Sequence, residues 1–296
     1  MSIKILPTAH RELLDACISW HVRPYKKVFL EALASISAPL RFDDLKTLEI
    51  GAEGKSILST FLVARGAHAT VTCYTSSELV PLTAAIAGTG HKYGLPMERF
   101  DVGQADILAL NPEPKFDLIL MKGVLGGISR MHELQTFQTA VDNCLSALTP
   151  NGRLLIIDKA RSLHIINWML RHFGAAGKRG YHYFTNDELA SIIARNGLVT
   201  EFAASGVASF GDFRTGLMQN MMDFWQWVRR DGVSTRFATD GTANFVSLSG
   251  GMLQYLADFM DAACLEKIVP DQHRVVFSLI CAKRQASRPH DSLLTK

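Results

Sequence analysis

Residues 46–56 read KTLEIGAEGKS. The apolar run up to Ile50 is typical of a strand, and Gly51 and Gly54 then predict a tight turn. A helix-like pattern follows from Lys55 to Arg65. A strand, a turn and a helix in succession are typical of open parallel sheets, which bind nucleotide-like ligands outside the carboxyl ends of their strands. We therefore expect a ligand site at this turn.

Strand-like and helix-like segments alternate along the rest of the chain. The predicted strands are Thr47–Ile50, Ala69–Tyr74, Arg99–Val102, Phe116–Met121, Arg153–Asp158, Leu198–Ala203 and Arg274–Ala282. The predicted helices after the first are Glu78–Ala87, closed by Gly88 and Gly90, then His132–Leu148, then a helix with Asn186 as its N-cap that runs to Arg195. This alternation predicts an α/β fold of three layers, in which helices cover both faces of a mostly parallel, seven-stranded sheet.

Two segments interrupt the alternation, residues 160–185 and residues 207–270. We predict a helical cap over residues 1–40, a core over 41–206, a helical insertion over 207–270, and a last strand with a tail over 271–296. The insertions are rich in Met and aromatic residues. These residues predict either an apolar acceptor pocket or a packed cap or homodimer interface.

Composition excludes several classes of protein. The chain has 296 residues, 48% of them hydrophobic, and a net charge of +3 without a clustered basic face, which argues against nucleic acid as a partner. Its five cysteines include no CxxC pair, which predicts reduced thiols in a cytoplasmic protein. No apolar run is long enough for a membrane span or a signal peptide, so no stable membrane insertion is expected.

Four motifs stand in a fixed order along the core: LEIGAEG at 48–54, GQADIL at 103–108, FDLILMKGVLGGI at 116–128 and LSALTPNGRLLIID at 145–158. Their order and spacing resemble those of the class I S-adenosylmethionine-dependent methyltransferases. The resemblance implies a Rossmann-like sheet, S-adenosylmethionine as cofactor and methyl transfer as reaction. The Asn-Pro-Pro-aromatic pattern of methyltransferases that act on amino groups of nucleic acids and proteins is absent after the fourth strand, which favours a small-molecule acceptor.

The resemblance also implies where the cofactor binds. The implied cofactor-binding residues are Glu49, Gly51, Glu53, Gly54, Thr75, Ser76, Gln104, Asp106, Ile107 and Lys122. Glu53 and Lys55 replace two glycines of the family's first motif, and Thr75 replaces the acid that binds both ribose hydroxyls. Glu78 either contacts the ribose or begins the next helix. Lys122 contacts an anionic acceptor or is an exposed loop lysine. The family's adenine-side acid corresponds to Gln104 or Asp106, and Asp106 is otherwise a plain loop acid.

A hydroxyl or ammonium acceptor must lose a proton, and histidine suits that role near neutral pH. His182 and His164 are the predicted catalytic residues, with packing alone as the alternative for each. The predicted substrate-binding residues are Trp20, Tyr25, Tyr181 and Tyr183. Asp158 is a single carboxylate without clustered partners, so no metal site is predicted.

The sequence thus predicts methyl transfer from S-adenosylmethionine to a small, partly apolar metabolite. Two alternatives stay open, because the first motif and Thr75 depart from the family pattern. One is a methyltransferase-like binding or scaffold protein without turnover. The other is an enzyme of the same fold that uses another adenosyl ligand.

Overall fold

A computed structural model describes residue 29, residues 42–52, 57–128 and 134–159, residue 182, and residues 184–207 and 275–284. Its centre is a seven-stranded sheet with the order β3-β2-β1-β4-β5-β7-β6. The strands are β1 (Lys46–Ile50), β2 (His68–Cys73), β3 (Phe100–Gln104), β4 (Phe116–Lys122), β5 (Leu148–Lys159), β6 (Leu198–Val207) and β7 (Val275–Arg284). The helices are α1 (Ser59–Val63), α2 (Ser76–Tyr93), α3 (Leu125–Ile128), α4 (Leu134–Ala147) and α5 (Asn186–Arg195).

The pairing of the strands confirms the predicted fold class. Strands β1 to β5 pair in parallel, and β7 runs antiparallel between β5 and β6. The chain builds outward from β1 to β3 on one side and from β4 to β5 on the other, so the direction of winding reverses between β1 and β4. Ligands of doubly wound sheets bind at such a switch point.

Apolar side chains cover both faces of the central strands. In β4, Leu118 and Leu120 belong to one core cluster and Ile119 and Met121 to the other, and none of the four is more than 1% exposed. The first cluster includes residues of α1, and the second includes residues of α4 and α5. A strand buried on both faces reads as a continuous apolar run, which is why β4 was clear in the sequence. The three layers are therefore confirmed.

The second helix is longer than predicted. Instead of ending before Gly88 and Gly90, α2 continues to Tyr93 and ends at Gly94, where φ is 64°. Gly90 is a packing position, because a Cβ there would collide with the side chain of Met97. The prediction was wrong because a glycine in a helix can allow close packing as well as end it.

The fifth strand begins earlier than predicted. Thr149 to Gly152 were expected to separate it from the preceding helix, but β5 starts at Leu148 and continues through them, with an irregular register against β4. The Thr149 hydroxyl donates to Asp117 at 3.0 Å. A Cβ on Gly152 would lie 2.9 Å from the carbonyl oxygen of Phe116. The turn residues therefore let the two backbones approach closely within the sheet.

The first and last described helices also differ from the prediction at their ends. Within residues 57–128, α1 covers only Ser59–Val63. The N-cap of α5 is Thr185 rather than Asn186, and it forms a capping box with Glu188. The cap and insertion predicted for residues 1–40 and 207–270 fall almost entirely outside the described residues, so the domain boundaries stay predictions. Among the described residues, no helix has the length and apolar character needed to cross a membrane.

Candidate functional site

Both strands at the switch point end in a glycine with a left-handed backbone. Gly51 follows β1 and Gly123 follows β4, and φ is 69° at each. A residue with a Cβ is strained at this angle. At Gly51 an added Cβ would also lie 2.8 Å from Cγ2 of Val124, so the turn after β1 packs against the segment after β4. These two turns shape the carboxyl edge of the sheet at the place where a ligand is expected.

The carboxylate of Glu49 links the end of β1 to the start of α1. Glu49 is 1% exposed, and it accepts hydrogen bonds from the N–H groups of Leu58 at 3.0 Å and Ser59 at 2.7 Å. These bonds bring the start of α1 back to the end of β1. Burial raises the pKa of Glu49, while the Ser59 N–H and the positive charge of Lys122 oppose that rise. Glu49 therefore positions the turn, and its direct contact with a cofactor stays a prediction.

Thr75 and Ser76 stand where β2 passes into α2. Thr75 is the N-cap of α2, and its Oγ1 lies 3.0 Å from the hydroxyl oxygen of Ser77. The Thr75 N–H donates to Oε2 of Glu78 at 3.2 Å. Glu78 therefore begins the helix, which is one of the two roles that the sequence left open. Thr75 and Ser76 lie at the edge where the cofactor was predicted to bind.

Three of the predicted cofactor-binding residues, Gln104, Asp106 and Ile107, lie at the end of β3 or just after it. The Gln104 amide donates to the carbonyl oxygen of Tyr74 at 2.9 Å, which ties the ends of β2 and β3 together. Asp106 accepts from the Leu108 N–H at 2.9 Å and caps a short 3-10 turn. Ile107 is 3% exposed within the core, so its side chain is not accessible to a ligand. Gln104 and Asp106 remain exposed at the carboxyl edge.

On the other side of the switch point, Asp158 links β5 to α3 and, through Gly126, to His182. It lies in β5, is 0% exposed, and accepts from the Gly126 N–H of α3 at 3.0 Å. The Gly126 carbonyl oxygen in turn accepts from the His182 N–H at 3.0 Å. Lys122 ends β4 beside this group. Lys122, predicted to bind the cofactor, and His182, predicted as a catalytic residue, therefore both border the segment that follows β4.

The imidazole of His182 packs among aromatic side chains. Its ring centre lies 4.5 Å from that of Phe184 and 5.6 Å from that of Phe137. Its Nε2 lies 3.9 Å from Oε2 of Glu188, and 32% of the side chain is exposed. This setting agrees with the packing role that the sequence allowed, and the partial exposure leaves the ring accessible to solvent. The catalytic role of His182 stays a prediction.

Several predicted site residues fall outside the described part of the chain: Glu53, Gly54, His164, Trp20, Tyr25, Tyr181 and Tyr183. Their roles also stay predictions. Within the described ranges, no group of three or more His, Cys, Asp and Glu side chains is placed to hold a metal ion.

Sequence reasoning missed Gly123 and Val124 as parts of the site. The signal was present, because Gly123 directly follows an apolar strand in the same way that Gly51 does. The packing of Val124 over Gly51 had no such signal, since these residues meet only when β1 and β4 lie side by side.

Comparison with known proteins gives the same fold. No protein-family model matches the chain, and no curated protein matches it in sequence. Among solved structures, a SAM-dependent methyltransferase from Geobacter sulfurreducens in complex with S-adenosyl-L-homocysteine is 10% identical, with a TM-score of 0.52 over 95% of this chain and 99% of that one.

Two further solved structures are similar over most of the chain. The phosphoethanolamine N-methyltransferase 2 of Haemonchus contortus, in complex with phosphomonomethylethanolamine and S-adenosylhomocysteine, is 15% identical, with a TM-score of 0.52 over 95% of this chain and 61% of that one. The [4+2]-cyclase SpnF is 13% identical, with a TM-score of 0.53 over 89% of this chain and 83% of that one. The chain therefore has the fold of the class I S-adenosylmethionine-dependent methyltransferases, as its motifs predicted.

Proposed function

We propose that this protein binds S-adenosylmethionine at the carboxyl edge of β1, β2 and β4 and transfers its methyl group to a small, partly apolar molecule. The observation that carries the proposal is the pair of left-handed glycines at the switch point, with Gly51 packed too closely against Val124 to hold a Cβ. Because no side chain fits at Gly51, the backbone of this turn can approach a ligand closely at the carboxyl edge of the sheet. Solved structures with the same fold hold the demethylated cofactor.

The residues present fit this cofactor in part. The Gly51 turn and its support by Glu49 form the floor for the amino-acid half of the ligand. Gln104 at the end of β3 and Asp106 just after it are the proposed contacts of the adenine half. The end of β2 departs from the pattern, because Thr75 offers a hydroxyl where the family has a carboxylate. When bound, S-adenosylmethionine supplies an electrophilic methyl group.

The chain itself orients the acceptor and takes up its proton. Asp158 fixes Gly126, and Gly126 fixes the backbone of His182, so one buried carboxylate sets the position of the acceptor side. Orientation alone can account for much of the acceleration of a displacement reaction. For a hydroxyl or ammonium acceptor, the His182 imidazole is the proposed base. Lys122 is proposed to contact an anionic group of the cofactor or acceptor.

Binding measurements test the cofactor. Calorimetry with S-adenosylmethionine and S-adenosylhomocysteine is expected to show binding to the wild type. Gly51→Ala is expected to weaken it at least about tenfold, because φ and Val124 both oppose a Cβ. Gly88→Ala is the matched control, since Gly88 lies in α2 with nothing within 4 Å of an added Cβ. Absence of binding by the wild type at about 1 mM of either ligand, a free energy near −4 kcal/mol, would contradict the proposal.

A second candidate is an enzyme that keeps the fold and an adenosyl ligand but catalyses another reaction. The similarity to a [4+2]-cyclase favours keeping this alternative, as does the hydroxyl of Thr75. Incubation with methyl-labelled cofactor and a pool of small metabolites separates the two. Label transferred to a metabolite supports methyl transfer, and binding without transfer supports the alternative or a scaffold role.

We also propose a cytoplasmic location, supported by the cysteines. Cys73, Cys144 and Cys281 are buried as free thiols. Burial raises the pKa of Cys144 and Cys281 to about 12 each, so these thiols are protonated and unreactive at neutral pH. Such cysteines suit a reducing compartment.

A further inference from the structure

The end of β2 lies directly beside the Gly51 turn. The Ala52 N–H donates to the Thr72 carbonyl oxygen at 2.8 Å, and the Thr72 hydroxyl donates to the Glu49 carbonyl oxygen at 3.1 Å. In doubly wound folds, the ribose of a bound nucleotide is held near the end of the second strand, commonly by an acidic side chain. In this chain that place is occupied by residues 74–78, all of which the structure describes.

The only carboxylate in residues 74–78 is that of Glu78. Its Oε2 accepts the Thr75 N–H at 3.2 Å and so completes the cap of α2. The cap holds one of the two carboxylate oxygens against the Thr75 N–H, so we expect this side chain to stay at the start of the helix rather than to bind a diol with both oxygens. The Thr75 hydroxyl, 3.0 Å from that of Ser77, offers one oxygen and no charge.

We infer that the nucleoside subsite binds the ribose through the neutral hydroxyls of Thr75 and Ser77. No carboxylate accepts hydrogen bonds from both the 2′- and the 3′-hydroxyl. The subsite therefore accepts adenosyl ligands that lack the 2′- or the 3′-hydroxyl. This inference rests on the proposed function. Its physical reason is that a hydrogen bond between neutral groups contributes less than one to a charged group, so the loss of one ribose hydroxyl removes little affinity.

The chain offers a direct way to restore the missing group. Thr75→Asp keeps a residue that is favourable at an N-cap, so α2 is expected to begin at the same place. The variant adds a carboxylate where the hydroxyl was. Thr83→Asp is the matched control, because Thr83 is exposed further along α2 and its hydroxyl donates to the Leu79 carbonyl oxygen of the same helix.

The experiment is calorimetric titration of the wild type and both variants with S-adenosylhomocysteine, its 2′-deoxy form and its 3′-deoxy form. The wild type is expected to distinguish the three ligands by less than about fivefold. Thr75→Asp is expected to bind the parent ligand more tightly and to disfavour each deoxy form by more than about tenfold. Thr83→Asp is expected to behave as the wild type, and unfolding curves confirm that the variants are folded.

Three results overturn the inference. Discrimination of tenfold or more by the wild type means that a carboxylate already grips the diol. Unchanged discrimination in a folded Thr75→Asp protein means that position 75 does not face the ribose. Absence of S-adenosylhomocysteine binding by the wild type overturns the proposed function and this inference with it, and it differs plainly from the first two results.

Discussion

Glu49 shows how one buried carboxylate can organise the backbone at a candidate site. Both of its oxygens accept backbone N–H groups from the start of α1. Without this carboxylate, the start of α1 would lose the two hydrogen bonds that tie it to the end of β1. The acid of the first motif is therefore explained by the backbone that it organises.

Substitution of Glu49 is predicted to change both stability and its dependence on pH. Glu49→Gln leaves one acceptor for two buried N–H groups, at a cost of about 1–3 kcal/mol in the free energy of unfolding. Because burial raises the pKa of Glu49, ionisation favours the unfolded chain. The contribution of Glu49 to the free energy of unfolding is therefore complete below its ordinary pKa. This contribution decreases as the pH rises through the raised pKa of the folded state.

Urea unfolding of the wild type and Glu49→Gln from about pH 4 to pH 7 measures this effect. The difference in free energy of unfolding between the wild type and Glu49→Gln is expected to be larger at about pH 4 than at about pH 7. Glu98→Gln is the control, since Glu98 is exposed and its change is expected to leave the free energy of unfolding within about 0.5 kcal/mol. A difference that grows with pH would contradict the prediction.

His182 has two possible roles that substitution can separate. His182→Phe keeps a ring between Phe137 and Phe184 but removes the base, whereas His182→Ala removes both. If the imidazole takes the acceptor proton, both variants lower kcat by about 10²–10⁴-fold while cofactor affinity changes little. Steady-state kinetics and calorimetry measure the two quantities. Near-normal kcat in His182→Phe would assign His182 a packing role alone.

At the scale of elements, the antiparallel half of the sheet is joined by a cluster of charges. Arg153 of β5 donates to Glu201 of β6 at 2.7 Å, and Lys283 of β7 contacts the same carboxylate at 2.6 Å. The Arg153 side chain is 8% exposed. The cluster links three strands whose order along the sheet, β5-β7-β6, differs from their order along the chain.

Removing the shared carboxylate is predicted to weaken this half of the sheet. Burial alone would raise the pKa of Glu201, but hydrogen bonds from Lys283 and Arg153 outweigh it, and the pKa is lowered. The stabilisation is therefore present at neutral pH and is lost as pH falls through the lowered pKa. Glu201→Gln is expected to cost about 1–2 kcal/mol at pH 7, because it leaves Arg153 half-paired in a mostly buried place.

Denaturant unfolding at pH 7 and below about pH 4 tests this prediction. The difference in free energy of unfolding between the wild type and Glu201→Gln is expected to be smaller below about pH 4 than at pH 7. Glu113→Gln is the matched control, since the Glu113–Lys115 pair, 3.6 Å apart, is largely exposed and is expected to contribute little. Equal effects of the two substitutions at pH 7 would argue against a role for the cluster.

At the scale of the whole molecule, ligand binding is expected to stabilise the folded chain. The proposed ligand contacts the ends of strands β1 to β4, which come together only in the folded sheet. S-adenosylhomocysteine at about 100 times its Kd is therefore expected to add about 2.7 kcal/mol to the free energy of unfolding. Denaturation curves with and without ligand measure the effect. Gly51→Ala is expected to reduce this stabilisation by the ligand. An unchanged denaturation curve of the wild type in the presence of ligand would contradict the proposed site.

The order of the elements was predictable because each leaves a local pattern. The apolar run of β4, buried on both faces, identified a central strand, and the turn at Gly51 identified a ligand edge. Glycines were harder to interpret, since Gly94 ends α2 whereas Gly90 makes room for Met97. The same residue type serves both purposes, and only the neighbour decides which applies.

The sequence by itself determined the α/β alternation and predicted the place of the site, because periodicity, turn residues and motif order are properties of neighbours along the chain. The tertiary structure decided which partners several of the predicted site residues have within the chain. It directed Glu49 to the backbone of α1, Glu78 to the cap of α2 and Asp158 to Gly126. The partners of Glu49 lie 9 and 10 residues further along the chain, and that of Asp158 lies 32 residues away, so the strand pattern around each carboxylate does not encode them. A carboxylate has the same signature in sequence whether it binds a ligand or the protein's own N–H groups.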